Sequence, residues 1–357
     1  MRARPPLRRA KSAKWHSRRV SLGILALVAL LATAVSAAGA RAAESSGALP
    51  SARAASQPIV LALTATHPSS AARGSLSAHL SSIGLVAPAW LSLQPGGRFA
   101  YNAADPFTSG LGARGARLVP VLADPGHLAG TLLSDGPLRR RLAVRLGVAI
   151  RALGARGVVL DWRDLPSAAR ASYAVFVHEL RVELGPHAQI VVTVPAVRTQ
   201  RALRSNGYDL RALARPARLL VLAWNEHGPR SEPGPVASLA FWKQTLRTVL
   251  RAAPRSRVLM GVPTWGWRWG AVAGAGAEQA TQAQLFPKAS EAALQRPYGA
   301  RVGERAWVES DRSVQLKLLV ARQAKIAGVA LWVRGGESSA TWSQPLLAPS
   351  RGGGASR

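Results

Sequence analysis

The chain of 357 residues contains no cysteine. That excludes a disulfide framework, a thiolate zinc site and a cysteine nucleophile. Carboxylates are scarce as well: 17 Asp and Glu stand against 47 Lys and Arg, a formal charge of +30. Any chemistry that depends on acids therefore has few candidates. Charged residues make up only 18 % of the chain and hydrophobic ones 48 %, which excludes a disordered protein. Glycine-rich phosphate loops are absent, and no repeat of tens of residues is visible. His67, His79, His127, His178, His187 and His227 share no ligand spacing, so neither a metal nor a cofactor is expected.

What the sequence does have begins at its start. Arg2, Arg4, Arg8, Arg9, Lys11, Lys14, Arg18 and Arg19 precede the apolar run Val20 to Ala38, and Ala40-Arg41-Ala42 follows. A basic leader, an apolar stretch and an A-x-A site read as an export signal. The alternative is an uncleaved membrane anchor, because about 20 apolar residues can cross a bilayer. Residues 1–42 are therefore expected to be a signal peptide or anchor, 43–56 a small-polar linker, and 346–357 a disordered tail. The working part, residues 57–345, is expected outside the cytoplasm, secreted or held at the membrane.

Residues 1–42 hold nine cations and no acid, so the remainder carries 38 cations against 17 acids, +21. So basic a domain is drawn to polyanions, here an anionic wall polymer or a membrane surface. Forty-one of the cations are arginine, as a GC-rich coding bias also produces. The cations are scattered and no nucleic-acid motif is present, so nucleic acid is not an expected partner.

From residue 59 onward, short apolar runs alternate with helical patterns. The runs are Ile59–Thr64, Leu85–Leu91, Arg117–Leu122, Val158–Trp162, Ile190–Pro195, Leu219–Trp224, Val258–Pro263 and Val329–Trp332. Each is nearly continuously apolar, as strands buried on both faces of a parallel sheet must be. Between them Leu138, Leu142, Leu146, Ile150 and Leu153 recur at helical spacing after Ser134-Asp135, which can cap the helix start. Residues 172–184, 239–250 and 314–326 show similar stripes. Eight strands alternating with helices predict an α/β protein, a (β/α)8 TIM barrel, with an open doubly wound sheet as the alternative. The irregular stretch 270–308 predicts a small insertion before the last helix.

In such barrels the working face lies at the C-terminal strand ends. Trp90, Trp162, Trp224, Trp265 with Trp267 and Trp269, and Trp332 all sit at or just past predicted strand ends. Indole faces stack on the apolar C–H face of a pyranose, so these residues predict a carbohydrate groove. Packing in a large core is the alternative use for them.

At these same residues the chain resembles a known family. Residues 155–166, ARGVVLDWRDLP, resemble the strand-4 signature DxxDxDxE of glycoside hydrolase family 18, the chitinase-like enzymes, closest to the spore-cortex and peptidoglycan hydrolase branch. LVAPAWLSL at 85–93, LAWNEHGPRSEPGP at 222–235, MGVPTWGWRW at 260–269 and GVALWVRGGES at 328–338 resemble other family segments in the same order. The resemblance implies a TIM barrel over nearly all of 57–345. It also implies a site for N-acetylglucosamine-containing glycans with Trp332 flooring the central subsite.

The departures from the pattern carry as much information. The four acids of the signature fall on Arg156, Val159, Asp161 and Arg163. In the family the last of these, a Glu, protonates the glycosidic oxygen, while the Asp two residues before it orients the attacking acetamido group of the substrate. Arg163 stands at the acid's position, and a guanidinium is not deprotonated in a protein. The family's Tyr-Asp pair at strand 6 is here Trp224-Asn225. Side chains alternate along a strand, so Val159, Asp161 and Arg163 should share the inward face, with Asp164 off it.

Three readings follow. In the first, the barrel binds a chitin-like or peptidoglycan glycan through Trp90, Trp162, Arg163, Trp224, Asn225, Trp265 and Trp332, with little or no hydrolysis. Arg163 and Arg156 would meet anionic substituents. In the second, it is an active glycosidase that uses Glu226 or Asp161. In the third, it is a basic scaffold on a wall or membrane surface. A monomer is expected.

Overall fold

The computed structural model describes residues 58–102, 105–224, 226–270, 276–303 and 305–347. The expected signal or anchor, the linker and residue Asn225 lie outside the described residues, as does the tail from 348. No helix of the described residues is long and apolar enough to cross a membrane.

The described strands are β1 Ile59–Thr64, β2 Leu85–Pro88, β3 Leu91–Gln94, β4 Arg98–Tyr101, β5 Val121–Ala123, β6 Gly157–Asp161 and β7 Gln189–Pro195. They continue with β8 Arg218–Leu222, β9 Val258–Gly261, β10 Trp265–Trp269, β11 Ala277–Thr281, β12 Ala300–Val302, β13 Ala306–Val308 and β14 Gly328–Trp332. The main sheet runs in the order β2-β1-β14-β9-β8-β7-β6-β5-β3-β4. Its pairings are parallel except for the β3–β4 hairpin.

The sheet closes on itself. Just before β5, Val86 pairs in parallel with Leu118. Val86 N–H donates to the Arg117 carbonyl at 3.0 Å, and Val119 N–H donates to the Val86 carbonyl at 2.9 Å. Further along, Leu91 of β3 pairs with Leu122 of β5. β2 and β3 are thus one interrupted second strand, and the result is the expected TIM barrel of eight parallel positions.

The period of two along each strand sorts the apolar residues into two cores. Leu61, Leu85, Val159, Val191, Leu220 and Leu259 fill the barrel interior. Their neighbours Val60, Val86, Val158, Leu160, Val192 and Leu219 face the helices. The helix Gly136–Ala152 buries Leu142, Leu146 and Ile150, and Asp135 caps it by accepting the Leu138 N–H at 2.8 Å. Each such buried side chain contributes roughly 1.5–3 kcal/mol.

The insertion is present but begins earlier than expected. β10 to β13 form an antiparallel sheet, in the order β11-β10-β13-β12, between β9 and the helix Asp311–Gln323. Trp265, Trp267 and Trp269 alternate with Gly266 and Arg268 along β10, and all three indoles pack into the cluster that continues the barrel interior. The WGWRW run is therefore a half-buried strand of the insertion.

A fully buried ion pair ties the insertion to the barrel. Lys317 Nζ donates to Glu309 Oε2 at 2.6 Å and to Ser313 Oγ at 2.7 Å, and both charged side chains are inaccessible to solvent. Glu309 Oε1 accepts the Ala237 N–H at 3.0 Å, from the segment before the helix Leu239–Leu250. Gln282 of the insertion donates to the Glu309 carbonyl and accepts the Ser338 N–H. Removing one partner of a buried pair strands the other charge in a medium that solvates it poorly. Lys317→Met is accordingly expected to lower unfolding free energy by about 3–5 kcal/mol, read by denaturant titration. The combined Glu309→Gln/Lys317→Met variant should recover part of that loss.

Candidate functional site

The inward register that packs the barrel interior continues to its mouth. Two residues beyond Val159, Val191, Leu220, Leu259 and Ala330 stand Asp161, Thr193, Leu222, Gly261 and Trp332. These residues form a ring of strand tips, and Arg163 follows Asp161 in the same register.

Arg163 and Asp161 are locked together. Arg163 Nε donates to Asp161 Oδ1 at 3.0 Å, and Nη2 donates to Oδ2 at 2.9 Å. Thr193 Oγ1 from the next strand donates to Asp161 Oδ1 at 3.0 Å. The Asp161 side chain is 17 % exposed and that of Arg163 45 %. Burial works against the Arg163 charge, but the hydrogen bond and the charge of Asp161 outweigh it and hold the guanidinium above its ordinary value. This fork-on-fork geometry is the strong form of an ion pair. It leaves Asp161 with both oxygens engaged.

Beside the pair lies a cavity of about 400 Å³, bordered by Arg163, Asp164, Arg198, Tyr208, Trp224 and Glu226 among others. That volume lies within the range of small-ligand pockets. Arg163, and not Asp161, borders it.

Asp164 lies in the loop after β6, exposed and with φ +55°, and borders the cavity. Strand alternation ends where the strand ends, at Asp161, so it could not place Asp164. Glu226 borders the cavity as well, and its Oε2 accepts the Ser238 N–H at 2.6 Å. That bond orders the start of the helix Leu239–Leu250, for which Ser238 is the N-cap. Glu337, past β14, accepts the Arg334 and Gly335 N–H groups and thereby orders its loop.

The tryptophans divide. Trp162 is completely buried, stacked on Phe176 with ring centroids 4.9 Å apart in the core between sheet and helices. It presents no face to a ligand, and the alternation that turns Asp161 inward turns its neighbour outward. Trp90 is 2 % exposed and donates its indole N–H to Thr108 Oγ1 at 3.1 Å, so it too is a core residue and lines no groove. Trp265 is buried and packs edge-on against Trp224 with centroids 5.3 Å apart. Trp224 borders the cavity, and its position depends on Gly261: a Cβ there would lie 2.6 Å from Trp224 Cε3. Trp332, half-buried at the tip of β14, packs against the same aromatic cluster. Asn225 lies outside the described residues.

Arg156 is a further correction. It directly precedes β6, and its carbonyl accepts the Gln189 N–H. That is the N-terminal end of the barrel, the full length of a strand from the mouth, so Arg156 cannot meet a glycan held there.

Residues that the sequence reading did not single out complete the site. Tyr208 Oη donates to the Trp162 carbonyl at 2.7 Å, beneath the loop that carries Arg163. Burial, with Asp164 and Asp161 adding, pushes its phenol up to about 12. Arg170 holds the same segment through the carbonyls of Leu203, Asn206 and Tyr208. No motif marks Tyr208 or Arg198; only the fold brings them to the cavity.

A phenol raised in the folded state stabilises the fold below its unfolded pKa of about 10 and loses that contribution as pH climbs through about 12. The difference in unfolding free energy between the native chain and Tyr208→Phe should therefore shrink from pH 10 toward pH 12, followed by denaturant titration across that window.

The profile of Glycosyl hydrolases family 18 matches residues 130–337, over half of the chain. Among curated proteins, the uncharacterized glycosylase YvbX of Bacillus subtilis (strain 168) is 25 % identical over 237 residues, covering 61 % of this chain and 68 % of the relative. The cortical fragment-lytic enzyme of the same organism is 23 % identical over 236 residues, or 60 % of this chain and 55 % of that one. The chain thus spans little more than half the length of that enzyme. Among solved structures, a chitinase from Chromobacterium violaceum superposes with a TM-score of 0.68 at 23 % identity, over 80 % of this chain and 97 % of that one. The Bacillus cereus spore cortex-lytic enzyme SleL gives 0.67 at 14 % identity, over 82 % and 74 %. Both likenesses bear on the fold, and the profile match bears on descent: this chain belongs to glycosyl hydrolases family 18.

Proposed function

We propose that the barrel binds an N-acetylglucosamine-containing glycan of the peptidoglycan or chitin type, outside the cytoplasm, and cleaves it little or not at all. The observation that carries this reading is the Asp161–Arg163 pair. Proton donation to a leaving glycosidic oxygen needs a group that holds a releasable proton near neutral pH. Arginine is not such a group. The Asp expected to steer the acetamido group is bound on both oxygens by that same guanidinium and by Thr193.

The class of glycan is supported by family membership, together with the printed activities of similar proteins, a cortical fragment-lytic enzyme and chitinases. Arg163 and Arg198 border the cavity together with Asp164 and Glu226, so its lining offers a sugar both hydrogen-bond donors and acceptors. Trp332 and Trp224 supply aromatic surface at the mouth. The basic leader and apolar run at 1–42 support export.

A second reading, hydrolysis with Glu226 as the acid, is favoured by one observation: Glu226 borders the same cavity. Against it stands the Ser238 N–H bond, which assigns one of its oxygens to holding the loop. Asp161 is the weaker candidate, since Arg163 covers it.

The test incubates the chain with peptidoglycan and with chitin oligomers and measures pull-down and reducing ends together. Retention is expected, with reducing-end release about 10²–10⁴-fold below that of an active family member. Trp332→Ala should weaken retention about tenfold, equivalent to roughly 1.4 kcal/mol of lost stacking. Arg163→Glu should raise release above the native level. Native release at the rate of an active relative, or release abolished by Glu226→Gln, overturns the reading.

A further inference from the structure

A second cavity, of about 290 Å³, opens among the helices that surround the barrel. It lies between the start of the helix Arg170–Leu184, the segment that carries the short helices Gln200–Arg204 and Leu210–Leu213, and the end of the helix Leu239–Leu250. None of its lining residues borders the mouth cavity.

The charge of this cleft is one-sided. Arg170, Arg204, Arg211 and Arg251 reach it from four separate segments, and Asp209 is the one carboxylate in its lining. The mouth cavity, by contrast, sets Arg163 and Arg198 against Asp164 and Glu226. Asp209 is already committed: Oδ1 accepts the Ala212 N–H at 3.1 Å, and Oδ2 stands 3.8 Å from Arg170 Nε. Among the described residues, Arg204, Arg211 and Arg251 have no carboxylate within 4.0 Å. An isolated exposed arginine is well solvated and holds an anion weakly. Convergence changes this. A concave site lined by one sign of charge and walled partly by apolar side chains, here Leu203 and Leu210, focuses the field and concentrates the counter-ion.

The walls of the cleft are tied together without any ligand. Arg170 Nη1 donates to the carbonyls of Leu203, Asn206 and Tyr208, which fastens the segment to the helix Arg170–Leu184. Gln200 Nε2 donates to the Thr248 carbonyl at 3.1 Å and fastens the same segment to the helix Leu239–Leu250. Arg170 is thus engaged in holding the structure. Arg204, Arg211 and Arg251 are exposed at the cleft and remain to meet a ligand. A carboxylate has two oxygens in one plane and suits a single guanidinium fork. A phosphate has oxygens in tetrahedral array and accepts from several guanidiniums at once.

We propose that this cleft is a binding site for a phosphate group, held by Arg204, Arg211 and Arg251. Free phosphate and a phosphodiester unit of an anionic polymer present the same chemistry here, and the test separates them. The site operates whatever glycan the mouth cavity holds.

Titration calorimetry of the full chain with inorganic phosphate, at an ionic strength held near about 0.15 M with chloride, should give saturable binding at one site. Arg204→Gln/Arg211→Gln should weaken it about tenfold or more. Arg140→Gln/Arg141→Gln removes the same charge from exposed positions on the helix Gly136–Ala152 and should change the affinity by less than about twofold. Each variant is checked by its thermal melt. Poly(glycerol phosphate) that binds more tightly than inorganic phosphate at matched phosphate assigns the site to a polymer, and equal or weaker binding assigns it to the free ion. No saturable phosphate binding by the native chain overturns the proposal whether or not the variants fold. So does an equal loss in the two double variants, since net charge alone would then hold the anion. None of the four substituted arginines borders the mouth cavity, so glycan retention tests the reading of that cavity separately.

Discussion

The mouth of this barrel is organised by one guanidinium. Arg163 grips both oxygens of Asp161, and Thr193 adds a third bond from the neighbouring strand. The pair sits where strand β6 delivers its last inward side chain, so the barrel's own register puts it there. The guanidinium is planar and permanently charged, so the pair is a static clamp. The neighbouring cavity then meets the guanidinium of Arg163 and not the carboxylate of Asp161.

Around that clamp the mouth is braced from several directions. The indole N–H of Trp269 donates to the Gly228 carbonyl, Glu226 holds the start of the helix behind it, and the Glu309–Lys317 pair joins the insertion, the segment at Ala237 and the helix Asp311–Gln323. These bonds tie the loop after β8 to an inserted sheet whose aromatic face is already packed. A site so supported presents fixed groups to a ligand, as selective binding requires.

Much of the fold was legible in the sequence because burial on both faces leaves a coarse trace. The eight apolar runs fall within a few residues of the eight barrel positions, and of the pair Ser134-Asp135 it is Asp135 that caps the following helix. Spacing alone put Asp161 and Arg163 on one face of the strand, and the structure pairs them there. The tryptophans were read too uniformly. A strand end sends successive residues to opposite sides, so Asp161 and Trp162 could not both face the mouth, and Trp265 to Trp269 carry the period of a half-buried strand. Other features leave no local trace. The phenol of Tyr208 under the Trp162 carbonyl and the Ala237 N–H on the Glu309 carboxylate both arise from contacts between segments tens of residues apart.

Gly261 shows how little matter separates one cavity from another. Trp224 leans over the backbone of β9 into the space that a side chain there would fill. A single methyl group at that point would collide with the indole that borders the cavity. One wall of the pocket is thus shaped by a hydrogen atom on the adjacent strand.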